Sequence, residues 1–140
     1  MRIDLDNHTS CMIDLDFLEK ILDTLTTQDI ELIITNNSTI QQINKQYRDI
    51  DKPTDVLSFP LEDIPNMPLG SVVINANIVE QKAKEFNHSF NEELCLMFIH
   101  GVLHCMGYNH EVDSGEHREK EIELIEKFNL PKSLIVRTQE

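Results

Sequence analysis

Basic residues are scarce in this chain. Twelve Lys and Arg stand against twenty-five Asp and Glu in 140 residues, a formal net charge of −13. Nonspecific affinity for nucleic-acid phosphates comes from clustered Lys and Arg, so this balance argues against a generic nucleic-acid binder, and no DNA partner is expected. Long apolar runs are also missing. The longest, Leu94 to Ile99, falls far short of the roughly 20 residues that cross a bilayer, so no membrane span is expected. The opening MRIDLDNHTS places Asp4 and Asp6 where a secretory signal needs an unbroken apolar stretch, which leads to a cytoplasmic location. Cysteine is limited to Cys11, Cys95 and Cys105, with no CxxC spacing, and in a reducing compartment these read as buried free thiols without chemistry. Four glycines and five prolines exclude a collagen-like or low-complexity chain.

What is present is an ordinary globular composition, 40% hydrophobic and 26% charged. The length suits one domain over residues 1–140 with a single core. The acidic charge is unevenly spread: seven acids fall between Glu111 and Glu126, whereas Lys45, Arg48 and Lys52 lie close together. A local basic patch beside a bound dication can attract phosphate even on an acidic protein.

Apolar periodicity sets the order of elements. Arg2 to Asp6 alternates like a half-buried strand, and Leu18, Ile21, Leu22 and Leu25 have the spacing of an amphipathic helix. IELIIT (30–35) reads as a strand. Ser38 with Gln41 resembles a capping box opening a helix whose inner face holds Ile40, Ile43 and Tyr47. After Pro53, strands are expected at Val56 to Phe59 and Ser71 to Asn75, separated by a loop from Leu61 to Gly70. Helices follow around Ile78 to Phe86, from the capping box Ser89/Glu92 to Met106 with Gly107 as its stop, and from Asp113/Glu116 through Ile122, Ile125 and Phe128 to Pro131. No element is assigned to the tail beyond Pro131. The expected fold is α+β, a small, mostly four-stranded sheet covered by about five helices.

The chemistry is concentrated in HGVLHCMGYNH, His100 to His110. Residues four apart share a helix face, so His100 and His104 can reach one metal, and a chain reversal at Gly107 lets His110 return to it. Three neutral imidazoles with an open fourth position mark a catalytic zinc site, whereas structural zinc is usually enclosed by four ligands rich in cysteine. A lone histidine on an apolar helix is usually a hydrogen-bonded core residue. Three within eleven residues of an otherwise apolar helix would cost several kcal/mol of polar desolvation without a common partner. The spacing equals the metzincin HExxHxxGxxH, but Gly101 stands where those peptidases carry their glutamate base. That moves the expected substrate away from peptides.

Two segments, YRDIDKPTDVLSFP (47–60) and LMFIHGVLHCMGYNHE (96–111), together with order and spacing up to about Phe128, closely resemble the YbeY family of rRNA-maturation endoribonucleases. The resemblance implies an α+β metal hydrolase that cuts single-stranded RNA, matures the 3′ end of 16S rRNA and takes part in ribosome quality control. It implies one zinc per chain on His100, His104 and His110, a functional arginine at Arg48, and the small ribosomal subunit with its assembly factors as partners. Two positions depart from the family pattern, Asn109 and Ser71 standing where Asp is usual. Read from its own chemistry, Arg48 is either a helix-end cation or a bidentate phosphate clamp, and the resemblance favours the clamp. The proton acceptor is open among the substrate phosphate, water, Glu111, His117 and Asp55, and by itself His117 reads as a solvated helix residue. The nucleophile is either water or the substrate's 2′-hydroxyl. Two other classes fit parts of the sequence: a zinc hydrolase of peptides or small amides, needing a base from outside the helix, and a ribosome-assembly factor whose metal only staples the fold.

Overall fold

A computed structural model describes residues 2–61, 67–108 and 114–131. Its elements run β1 (Ile3–Asn7), α1 (Leu15–Leu25), β2 (Ile30–Thr35), α2 (Asn37–Arg48), β3 (Val56–Pro60), β4 (Gly70–Asn75), α3 (Ala76–Phe86), α4 (Phe90–Cys105) and α5 (Glu116–Lys127). The α+β class and the element order expected from periodicity are both found. The strands form one sheet in the order β1-β2-β4-β3. β1 and β4 run parallel to β2, and β3 joins β4 antiparallel as an edge strand.

Strand alternation divides the apolar residues between the two faces of the sheet. Ile30, Leu32 and Ile34 of β2, with Val72 and Ile74 of β4, enter the main core, which also takes Leu18 and Leu22 of α1, Val79 of α3 and most of α4. On the opposite face Leu57 and Val73 meet Ile40 of α2 in a smaller cluster. α4 packs on β3 and β4 and is flanked by α1, α3 and α5, which explains why its sequence is apolar all round. Fully burying each Leu, Ile or Phe contributes about 1.5–3 kcal/mol, so this helix is anchored along its whole length. Its start is the expected capping box: Glu92 N donates to Ser89 Oγ at 3.1 Å, and Ser89 N donates to Glu92 Oε1 at 2.8 Å. Its end is the expected glycine, Gly107, at φ +102.

Three local expectations are corrected. α2 is capped by Asn36, whose side chain accepts from Thr39 N, so Ser38 and Gln41 lie inside the helix and form no box. Asn36 stands two residues earlier and offers an equally good acceptor. Tyr47 is exposed, and Asn44 takes the buried place on that face. Asn44 Nδ2 donates to Lys52 O at 3.0 Å, which ties the helix to the turn after it. α5 begins at Glu116 behind Gly115 with no side-chain cap, and the expected cap, Asp113, lies outside the described residues. The core of the expected loop, residues 62–66, also lies outside them, as does 132–140.

Candidate active site

α4 places His100 and His104 one turn apart, with ring centroids 4.8 Å from each other. Both line a cleft of about 490 Å³ between the C-terminal half of α4 and β3. Among the described residues its opposite wall comes from the other motif segment and includes Arg48, Asp55 and Ser58. His110, the third expected ligand, lies outside the described residues, as do Asn109 and Glu111.

A buried hydrogen bond ties the two walls together. Buried Ser58 Oγ donates to the Gly101 carbonyl at 3.0 Å, pinning β3 to the histidine helix. A Cβ at Gly101 would stand 2.6 Å from Val72 Cγ1 and 3.3 Å from Ser58 Oγ. The position after the first histidine therefore has no room for a side chain, glutamate included. Close approach of helix to sheet accounts for the glycine.

Arg48 ends α2 and reaches across the edge of β3. Its Nη2 donates to Ser58 O at 2.8 Å, and the guanidinium lies 5.7 Å from the Phe59 ring centroid. Tyr47 meets Phe59 edge-on at 5.5 Å. One backbone carbonyl and one aromatic face thus hold the guanidinium against the cleft wall.

Behind His100 lies a pair that hydrophobic periodicity does not reveal. His100 Nδ1 is 2.6 Å from Glu121 Oε1, and His117 Nε2 is 2.9 Å from the same oxygen. His117 is fully buried, which corrects its reading as a solvated residue. The inward face of α5 holds His117 and Glu121 together with Leu124 and Ile125. The i, i+4 spacing of a histidine and a glutamate is the signal that could have found this face. Burial would push the Glu121 carboxyl up, but hydrogen bonds from His100 and His117 outweigh it and bring it down to about 2. An ionised carboxylate only accepts, so in this contact His100 Nδ1 donates to Glu121 Oε1.

This donor set fits a divalent metal. Nitrogens of His100, His104 and His117 all lie within 4.8 Å of one another, and a carboxylate holding the far nitrogen of a ligating histidine is a recurrent outer-shell arrangement. Of the expected proton acceptors, Asp55 lines the cleft, with Oδ1 accepting from Val56 N at 2.7 Å. Ser71 Oγ donates to Glu31 Oε1 at 2.7 Å in an exposed pair, and Ser71 is not part of the described cleft wall. Cys95 and Cys105 are buried, and burial pushes their thiols up to about 12 and about 11. Cys11 is only half-buried, short of the full burial expected for it.

The family model for Endoribonuclease YbeY matches residues 6–129. The chain belongs to the YbeY family. Similar YbeY proteins include Endoribonuclease YbeY of Aliarcobacter butzleri, 63% identical over 137 residues that make up 96% of this chain and 98% of that one. Endoribonuclease YbeY of Helicobacter pylori strain J99 is 55% identical over 139 residues, 99% of each chain. Among solved structures, the solution structure of TM1509 from Thermotoga maritima is similar to this YbeY chain with a TM-score of 0.64 and 32% identity, covering 90% of this chain and 88% of that one. No helix among the described residues of this YbeY chain is long and apolar enough to cross a membrane.

Proposed function

We propose that this chain is a zinc-dependent endoribonuclease that cuts single-stranded RNA, working as one domain in 16S rRNA 3′-end maturation and in ribosome quality control. The observation that carries the reading is the cleft in which an arginine faces two histidines spaced for one metal. In this proposal His100, His104 and His110 hold one zinc per chain, and Arg48 clamps the scissile phosphodiester. Bound there, zinc supplies Lewis acidity to a phosphoryl oxygen and to a water. Arg48 donates two parallel hydrogen bonds to the phosphate and stabilises the charge that grows on it during attack by water or by the 2′-hydroxyl. Glu121 holds the His100 ring and its tautomer, while Asp55 stands in the cleft wall as a proton acceptor. The filled space at Gly101 supports RNA over peptide, because the place of the peptidase base is occupied by Val72 and Ser58.

A net charge of −13 leaves little general attraction for RNA, so binding rests on a few contacts and on small ribosomal subunits and assembly factors that bring cytoplasmic rRNA to the cleft. The test is cleavage of single-stranded RNA and of peptides by the purified protein, with chelator and with zinc restored. RNA cleavage that stops with chelator, returns with zinc and falls about 10²–10³-fold in Arg48→Ala is the expected result. Cleavage of peptides, or RNA cleavage indifferent to chelator, would overturn the reading.

A further inference from the structure

Tyr47 stands just before Arg48 on α2 and is 64% exposed. A single apolar side chain at a surface needs no explanation, but this ring has company. It meets Phe59 edge-on at 5.5 Å, and the Arg48 guanidinium lies 5.7 Å from the centroid of the same Phe59 ring. Ile50, just past the helix, is 48% exposed. Side chains alternate along β3: Ser58 bonds to α4 on the cleft side, whereas Phe59 packs with the smaller cluster under α2. Arg48 bridges these two sides, donating to Ser58 O while it lines the cleft. The aromatic pair and the cleft are thus neighbours across an edge strand, with the guanidinium between them. We propose that Tyr47 is a stacking platform for one nucleobase of single-stranded RNA, whose sugar–phosphate chain crosses the edge of β3 beside Arg48 as it enters the cleft. The inference rests on the proposed endoribonuclease reading and adds to it a base-holding residue outside the cleft wall.

The edge-on contact with Phe59 steadies the Tyr47 ring without covering both of its faces, and the exposure of the residue leaves room for a flat partner. A base is such a partner, because every base has a π face and stacking on an aromatic side chain tolerates any sequence. The surrounding charge suits the chain that carries the base. Between residues 45 and 52, Lys45, Arg48 and Lys52 outnumber Asp49 and Asp51, in a protein of net charge −13. Asp51 is also met by Lys45 at 3.9 Å and by Gln41 at 3.0 Å, which tempers its repulsion of phosphate. Stacking gives affinity that does not depend on net charge, the contribution an acidic protein lacks most. It also selects single strands, since the bases of a duplex are already paired and stacked on one another. An exposed tyrosine and isoleucine suit a protein partner as well, but the local cations and the continuity with the cleft favour RNA.

The experiment assays the full zinc-loaded chain on a single-stranded oligoribonucleotide, on its duplex, and on a series in which one abasic nucleotide is moved along the strand. Wild type and Tyr47→Phe should share one position near the cleavage site where the missing base lowers kcat/KM about tenfold, mainly through KM. Tyr47→Leu should lose the same factor on the intact strand and lose nothing further when that base is absent, with the wild-type melting temperature and zinc content. The chain contains no tryptophan, so Tyr47→Trp supplies a single reporter, and its fluorescence should be quenched by the single strand and not by the duplex. Wild-type kcat/KM in Tyr47→Leu on naked RNA would overturn the proposal and assign the patch to a protein partner. Positional sensitivity that survives in Tyr47→Leu would also overturn it, because another group would then hold the base. So would a loss in Tyr47→Leu that is equal on every abasic strand, the mark of a brace for Arg48. Wild-type protein that neither binds nor cuts the oligonucleotide would overturn the endoribonuclease reading beneath it, a result distinct from wild-type cleavage with unaffected variants.

Discussion

α4 carries a histidine–carboxylate pair near each end. At its start Glu93 is 0% exposed, and His88 Nδ1, itself on a side chain only 3% exposed, lies 2.9 Å from its Oε1. Near its other end the His100 side chain, 28% exposed, lies 2.6 Å from Glu121, which is 6% exposed and also within 2.9 Å of His117. The first pair is closed on all sides and joins the entry of α4 to the turn after α3. The second is open on one side, and its exposed ring keeps a nitrogen directed away from its carboxylate. The same two residue types therefore brace the chain in one place and line the candidate site in the other. The difference lies in access and in the second histidine on the shared carboxylate, since burial and pairing alone occur at both ends.

The largest expected contrast comes from removing a ring that faces the cleft. His104→Ala should abolish most metal binding, well beyond the ~10–100-fold typical of an outer-shell partner, while His88→Ala should leave metal content intact. Elemental analysis of both proteins after purification without added metal decides this, and full zinc occupancy in His104→Ala would end the assignment. The reverse contrast should appear in stability. Breaking the enclosed pair with His88→Ala is expected to cost on the order of 1–3 kcal/mol, read from denaturant midpoints of metal-free protein, and to lower RNA cleavage only in proportion to unfolding.

Gly101→Ala sharpens the comparison from the side of packing. Val72 is β-branched and stiff, so the added methyl should push α4 off β4 and cost about 1–3 kcal/mol. Because Gly101 adjoins His100, the same variant should also weaken metal binding, which no change at His88 should do. Parallel chelator competitions on the two variants test this. The smallest effect expected is at the thiols. With Cys95 and Cys105 pushed up to about 12 and about 11, their thiolate fraction at pH 8 is on the order of one part in a thousand or less. In folded protein a thiol reagent should modify Cys11 first and reach the others only on unfolding; rapid modification of all three at once would contradict the burial.

The sequence was legible where one rule acted alone. Alternation located the strands, and the i, i+4 spacing with a glycine stop located the helix that carries His100 and His104. Ser38 illustrates the limit: its spacing to Gln41 satisfies the capping pattern, yet Asn36 caps α2 because two neighbouring residues offer similar acceptors and the backbone selects one. α5 shows the deeper limit. In EHREKEIELIEK the buried face mixes His117 and Glu121 with Leu124 and Ile125, so a reading based on apolar residues finds Ile125 and Phe128 on the inner side but misses the two polar residues that share it. Glu121 is inward where His100 on α4 supplies a partner, and that partnership exists only in three dimensions.

Arg48 also bears on how the chain avoids its own kind. β3 is an edge strand, and the outer row of backbone groups on such a strand is a template for adding a strand from a neighbouring molecule. By donating to Ser58 O, the Arg48 guanidinium occupies one of those groups and sets a charged, bulky cap across the middle of the edge. If a phosphate draws the arginine away, the carbonyl it leaves is exposed at the moment when bound RNA itself screens the strand from other protein chains. On the proposed role of Arg48, the edge would be shielded by the protein at rest and by bound RNA once the arginine is drawn away, so edge protection and phosphate binding would place competing demands on one side chain.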